Sequence, residues 1–220
     1  MEDYKSVQEK IRTEVTGDSR EVFESFLEHF GDEVDQFIGS MSTAFMNWQA
    51  LDSGVKGDEK KAFVSASVYS ATTLQILSMR LFLLGYEVAS GSLQRQVFEA
   101  IALAFLFSGK SIGVLEKFMA DKYQTMNAMQ DVIKHAAQLH LNEDALDAIK
   151  KGRKFYHNYS HPTQMTTATY VSFQDQGLYV GASFDEGKID AYRKEIAGRV
   201  SLASTFDNFV EGVKYNLSEW

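Results

Sequence analysis

The chain has 220 residues, 45% of them hydrophobic and 24% charged, with no cysteine and one proline. That composition excludes disorder, a collagen-like repeat and a disulfide scaffold, and the length is enough to bury a core as one helical domain spanning 1–220. The formal charge of −8 is not evenly spread. Residues 1–60 hold 14 acidic and 6 basic side chains, whereas residues 61–220 hold 16 of each. The acidic excess therefore belongs to the first quarter of the chain and does not argue against an anionic partner for the rest.

Helical periodicity runs through most of the sequence. Tyr4, Val7, Ile11 and Val15 form the stripe of a short amphipathic helix over 1–17, peripheral to the rest and ending near Gly17. Asp18 or Ser19 then caps a long helix whose stripe is Val22, Phe26, Phe30, Val34, Phe37, Met41, Phe45 and Trp48. After the break at Asp52–Gly57, a third helix is predicted from about Asp58 to Tyr86. A fourth opens at Gly91-Ser92 and ends near Ser108-Gly109. Its apolar run, Val97 to Phe107, is 11 residues long and interrupted by Glu99. A bilayer span needs about 20 residues, so no membrane segment is expected.

Ile112 to Ala136 reads as a fifth amphipathic helix, and Asn142 caps a sixth that Pro162 stops. Alternation then replaces helical spacing. Thr167, Thr169, Val171 and Phe173 precede a turn at Gln174–Gly177, and Leu178, Val180, Ala182 and Phe184 follow it, which predicts a β-hairpin over about 166–184. Asp185 caps one long final helix carrying Ile189, Ile196, Val200, Phe206, Val210 and Leu217. The expected fold class is all-α: a bundle of six or seven helices with one inserted hairpin.

Three constellations bear on function. The first runs from Lys150 to His161, where Lys150, Lys151, Arg153 and Lys154 are followed by Tyr156, His157, Tyr159 and His161. On a continuous helix Arg153, His157 and His161 share a face. Cations offset phosphate charge, aromatic rings stack on bases, and imidazoles move protons near neutral pH. Cations also collect at helix C-termini for structural reasons alone. The second is Arg95 with Glu99, a carboxylate in an apolar run that needs a partner in Arg95 or Arg80. It forms either a structural ion pair or part of a polar pocket shared with His157 and His161. The third is the aromatic and methionine stripe content, including Phe23, Phe26, Met119, Met126 and Met129, which fits a core or a dimer surface.

A helical bundle with an Arg/His-bearing helix in its C-terminal half resembles the HEPN-like proteins, many of them bacterial ribonuclease toxins or phage-defence proteins. Their motif leaves four to six residues between an arginine and a histidine; here seven separate Arg153 from His161 and three separate it from His157, neither matching, while six separate Lys154 from His161 with lysine in place of arginine. The resemblance extends over about residues 60–215 and implies the fold more than the activity.

The leading expectation is a cytoplasmic, bacterial-type binding or regulatory module that forms a homodimer and presents its basic, histidine-bearing helix to RNA or another anionic ligand. A metal-independent ribonuclease is the alternative that the resemblance implies, with His161 as general acid/base, Arg153 or Lys154 steadying the phosphorane, and two subunits supplying paired sites. A metalloprotein using Glu99, His157 and His161 is a third; the favoured reading assigns no metal and no cofactor. The acidic N-terminal helices are expected to form an outer face or a shield near the basic helix. No glycine-rich phosphate loop or HExxH motif is present.

Overall fold

A computed structural model describes residues 3–174 and 176–220. Met1 and Glu2, part of the acidic N-terminus, and Asp175, part of the predicted turn, lie outside the described residues.

Asp3 accepts a hydrogen bond from the Ser6 amide and starts α1 (Tyr4–Thr16). α1 buries no residue, so its apolar stripe stays in the open. α2 (Arg20–Ser53) buries Phe26, Phe30, Val34, Phe37 and Met41 at helical spacing, with a local departure from helical geometry at Phe30. α3 (Glu59–Leu83) begins where Asp58 accepts from the Lys61 amide. Gly85, at φ +81°, then turns the chain. A side chain there would be strained in backbone and would collide with Ser183 as well.

α4 (Glu87–Ser108) is the axis of the molecule and packs most extensively on α3. A single apolar cluster connects its run Val97–Phe107 with the buried faces of α2, α3 and the C-terminal helices. Burial on all sides explains the near absence of a polar face on this helix.

The expected fifth helix is several pieces. A 3₁₀ turn (Lys110–Ile112) leads to α5 (Val114–Met119), and a second (Thr125–Asn127) leads to α6 (Ala128–Lys134). Gly113, Asp121 and His140 adopt positive φ, which interrupts any continuous helix. α7 (Glu143–Tyr156) starts as expected, with Asn142 accepting from the Ala145 amide. It ends one turn early, because His157–Ser160 tightens into 3₁₀ geometry and His161 is extended.

The chain is all-α, but the expected count of helices and the hairpin are both corrected. No strand forms among the described residues, only one isolated antiparallel bridge between Val171 and Leu178. The threonines read as strand alternation instead build α8 (Gln164–Thr169). Thr163 and Thr166 form a reciprocal capping box, and Thr167 and Thr169 bond back to the carbonyls of Thr163 and Thr166. Leu178 and Val180 are exposed, so the second half of the alternation buries no sheet face.

The last helix is likewise two, α9 (Ile189–Ala203) and α10 (Phe206–Ser218). They are separated at Ser204-Thr205, whose hydroxyls bond back to Ser201 and Leu202 carbonyls. α2 packs mainly on α3, α9 and α10, while α7 packs on α4 and α6. The acidic α2 therefore lies against a different part of the bundle from the basic helix and does not shield it. No helix among the described residues is long and apolar enough to cross a membrane.

Candidate functional site

α4 and the end of α7 approach closely, and that contact positions the site. Gly152 faces Phe98 and Gly91 faces Tyr159 so tightly that a Cβ at either position would enter the opposing ring. The 3₁₀ turn after α7 is then tied down by polar bonds. Ser92 Oγ donates to the Tyr159 carbonyl (2.9 Å), Thr163 Oγ1 to the Asn158 carbonyl (3.0 Å), and Thr166 Oγ1 to the His161 carbonyl (3.2 Å). His157 and His161 ride on this anchored turn, both exposed, with ring centroids 4.7 Å apart in an edge-to-face pair.

Arg95 reaches the same place from α4. Its Nε donates to Glu99 Oε1 at 3.0 Å, and Nη1 lies 3.5 Å from His157 Nδ1. Both side chains of the Arg95–Glu99 pair are 32% exposed, so Glu99 sits at the edge of the bundle and not in a closed pocket. Arg80, the other partner considered for Glu99, is exposed and forms no ion pair with it. The sequence constellations of Arg95, Glu99, His157 and His161 thus meet in space.

The cations of α7 extend this surface. Lys150, Arg153 and Lys154 are exposed, and none forms an ion pair with a described acidic residue. Lys151, in the middle of the same run, is bound to Asp147 Oδ2 at 2.7 Å, and that hydrogen bond raises its pKa. Tyr156 and Tyr159 point the other way, into the core. Burial pushes the Tyr156 phenol up to about 12 and the Tyr159 phenol up as well. The ring available beside the cations is Phe155, 41% exposed.

The geometry does not suit a metal. Among the described residues no group of three or more His, Asp or Glu side chains converges on an ion-sized site. The Arg95 guanidinium contacts both Glu99 and His157, placing a fixed positive charge among the three groups proposed as ligands.

Sequence reasoning missed a buried polar network directly beneath the turn. The Tyr159 hydroxyl donates to Glu195 Oε1 (2.6 Å), and Arg199 Nη1 donates to Glu195 Oε2 (2.5 Å). Arg199 Nη2 donates to Ser90 Oγ (2.6 Å), and its guanidinium lies 4.6 Å from the Phe82 ring. Gln75 donates to the Arg199 carbonyl and accepts from Gln94, which in turn accepts from Ser78. The available signal was Glu195 and Arg199 at i, i+4 among the apolar positions Ile196 and Val200 of α9.

Glu87, the first residue of α4, was missed as well. Burial, with Glu195 and Asp185 nearby, pushes its carboxyl up to about 7 against the opposing pull of Lys188 and Arg199. It borders a cavity of about 340 Å³ with Thr169, Tyr170 and Ser183. Neither a histidine nor a second carboxylate lines that cavity, so the catalytic elements of an acid/base pair are not assembled there.

No family model, curated protein or solved structure matches this chain.

Proposed function

We propose that the chain is a binding module that self-associates and presents the second half of α7, with the following turn, to a phosphodiester ligand such as single-stranded RNA. The observation that carries this reading is the contrast within one cationic run. Lys151 is paired with Asp147, whereas Lys150, Arg153 and Lys154 face solvent without an acidic partner among the described residues. The two histidines continue that surface onto the turn, with Arg95 behind them paired to Glu99, and Phe155 offers a ring for base stacking. The contrast supplies a direct test in binding of a labelled RNA oligonucleotide. Lys154→Gln should weaken binding severalfold, while the charge-conserving Asp147→Asn/Lys151→Gln should leave it near wild type. Equal effects of the two would contradict the assignment.

Self-association is proposed through α1, whose Tyr4, Val7, Ile11 and Val15 remain exposed along one face. Sedimentation of Val7→Asp/Ile11→Asp should show a lighter species than wild type; unchanged mass would remove this surface from consideration.

The paired imidazoles beside Arg95 favour a second reading, metal-independent RNA cleavage with His161 or His157 moving the proton. It requires that His161→Ala lose cleavage while binding RNA normally. Cleavage retained in full would eliminate it.

A further inference from the structure

A second cavity lies at the other end of α7, formed by α4, the first half of α7 and α10. Its volume is about 630 Å³, in the range of small-molecule sites. Its floor is the nearly buried aromatic packing of Phe98, Phe105, Phe206 and Phe209, and the exposed Tyr215 stands at the side. These rings are held in fixed relation. Phe105 meets Phe209 edge-on at 5.3 Å, Phe206 meets Phe209 edge-on at 5.6 Å, and His140 meets Tyr215 edge-on at 5.0 Å.

The charged side chains that line the cavity are acidic, and the cation beside it, Lys214, is committed to Glu211. No lysine or arginine lines it, whereas Asp144 and Glu211 do. Glu211 is bound to Lys214 at 2.6 Å, and His140 lies 3.3 Å from Glu219. Asp144 has no ion-pair partner among the described residues, so its carboxylate is free to face a ligand. The accessible face of Tyr215 attracts cations through the ring quadrupole, and the apolar floor removes competing water. An anion would meet Asp144, and the nearby Lys214 is already held by Glu211.

We infer that this cavity binds a lipophilic organic cation, with Tyr215 and the apolar lining of Leu141, Ala148 and Leu202 taking its body and Asp144 its charge. The site is separate from the cationic surface of α7 and does not depend on the reading of that surface. Only residues up to Ile149 of α7 line it, whereas the exposed cations begin at Lys150.

Two probes of matched shape and opposite charge test the inference on the full chain. Calorimetric titration with tetraphenylphosphonium should show binding roughly tenfold tighter than with tetraphenylborate. Asp144→Asn should weaken the phosphonium by about fivefold, a value typical of one partly exposed charge contact. Glu143→Gln, a neighbouring carboxylate outside the lining, should leave affinity unchanged. Ala148→Trp, at an exposed lining position, should block both probes by filling the cavity. The inference is overturned if the borate binds as tightly as the phosphonium, or if neither binds below about 1 mM. It is also overturned if Glu143→Gln matches Asp144→Asn, which would mark general surface attraction, or if Ala148→Trp changes nothing.

Discussion

The Tyr159 hydroxyl donates a 2.6 Å hydrogen bond to Glu195, and Tyr159 lies between the two exposed histidines in sequence. The turn that carries His157 and His161 is thereby bonded to a buried ion pair on α9. Glu195 in turn holds Arg199, whose side chain is 1% exposed. Burial disfavours the charge on Arg199, but the adjoining Tyr156, Glu195 and Tyr159 hold its pKa above the usual value. Such a pair is costly to desolvate and worse to leave half-made, so it acts as a register pin more than as a source of net stability.

Removing one member should therefore cost more than removing both. Arg199→Leu leaves Glu195 without its cation and is expected to destabilise the fold by about 3–5 kcal/mol. The double variant Arg199→Leu/Glu195→Leu should be less destabilised than that single variant. Tyr159→Phe, which removes one hydrogen bond, should cost about 1–3 kcal/mol. Urea unfolding of the three variants gives the comparison, and a double variant worse than Arg199→Leu would refute the pin.

Glu87 gives a pH dependence of defined sign. Its carboxyl is pushed up to about 7 in the fold by burial, from an ordinary value of 4.5. Between those values the folded chain holds the proton that the unfolded chain has released, so its contribution to stability falls as pH rises from about 4.5 to about 7 and then levels off. The full span corresponds to about 3 kcal/mol. Glu87→Gln removes this titration, so the variant should match wild type near pH 5 and exceed it near pH 8. Equal stability of the two proteins at both pH values, from chemical denaturation, would contradict the assignment.

Two glycines separate close approach from helix propensity. Gly91→Ala places a methyl in the Tyr159 ring, and the strain of overpacking should cost about 1–3 kcal/mol despite a helix-propensity gain of about 1 kcal/mol. Gly39, on an open stretch of α2, has nothing within 4 Å of a Cβ position. Gly39→Ala should therefore stabilise the protein by up to about 1 kcal/mol. Thermal melts of the two variants should shift in opposite directions.

The sequence made the long helices legible where burial and period agree. Phe26, Phe30, Val34, Phe37 and Met41 are buried as their spacing required, and Arg95 finds Glu99 one turn away. It misled where side-chain hydroxyls, not apolar period, shape the backbone. Thr163 and Thr166 cap α8 in a stretch whose alternation resembles a strand, and Ser204 and Thr205 mark the break between α9 and α10. Tyr156 and Tyr159 face inward because they continue the buried stripe of Ile149 and Gly152 at helical spacing, a stripe that the cations interleaved with it obscured. The tertiary partners of Arg199 come from α3 and α4 and that of Glu195 from the turn, distances in sequence that no local pattern records.

The central claim is that the unpaired cations of α7 bind a phosphodiester chain. The most direct measurement is the salt dependence of single-stranded RNA binding by fluorescence anisotropy, for wild type and for Lys150→Glu/Arg153→Glu/Lys154→Glu. Each phosphate neutralised contributes about −0.7 to the slope of log affinity against log salt for single strands. Wild type should bind with a clear negative slope, and the triple variant should lose most affinity and about 2 from the magnitude of that slope. Salt-insensitive binding by wild type, or an unchanged slope in a folded triple variant, would contradict the claim.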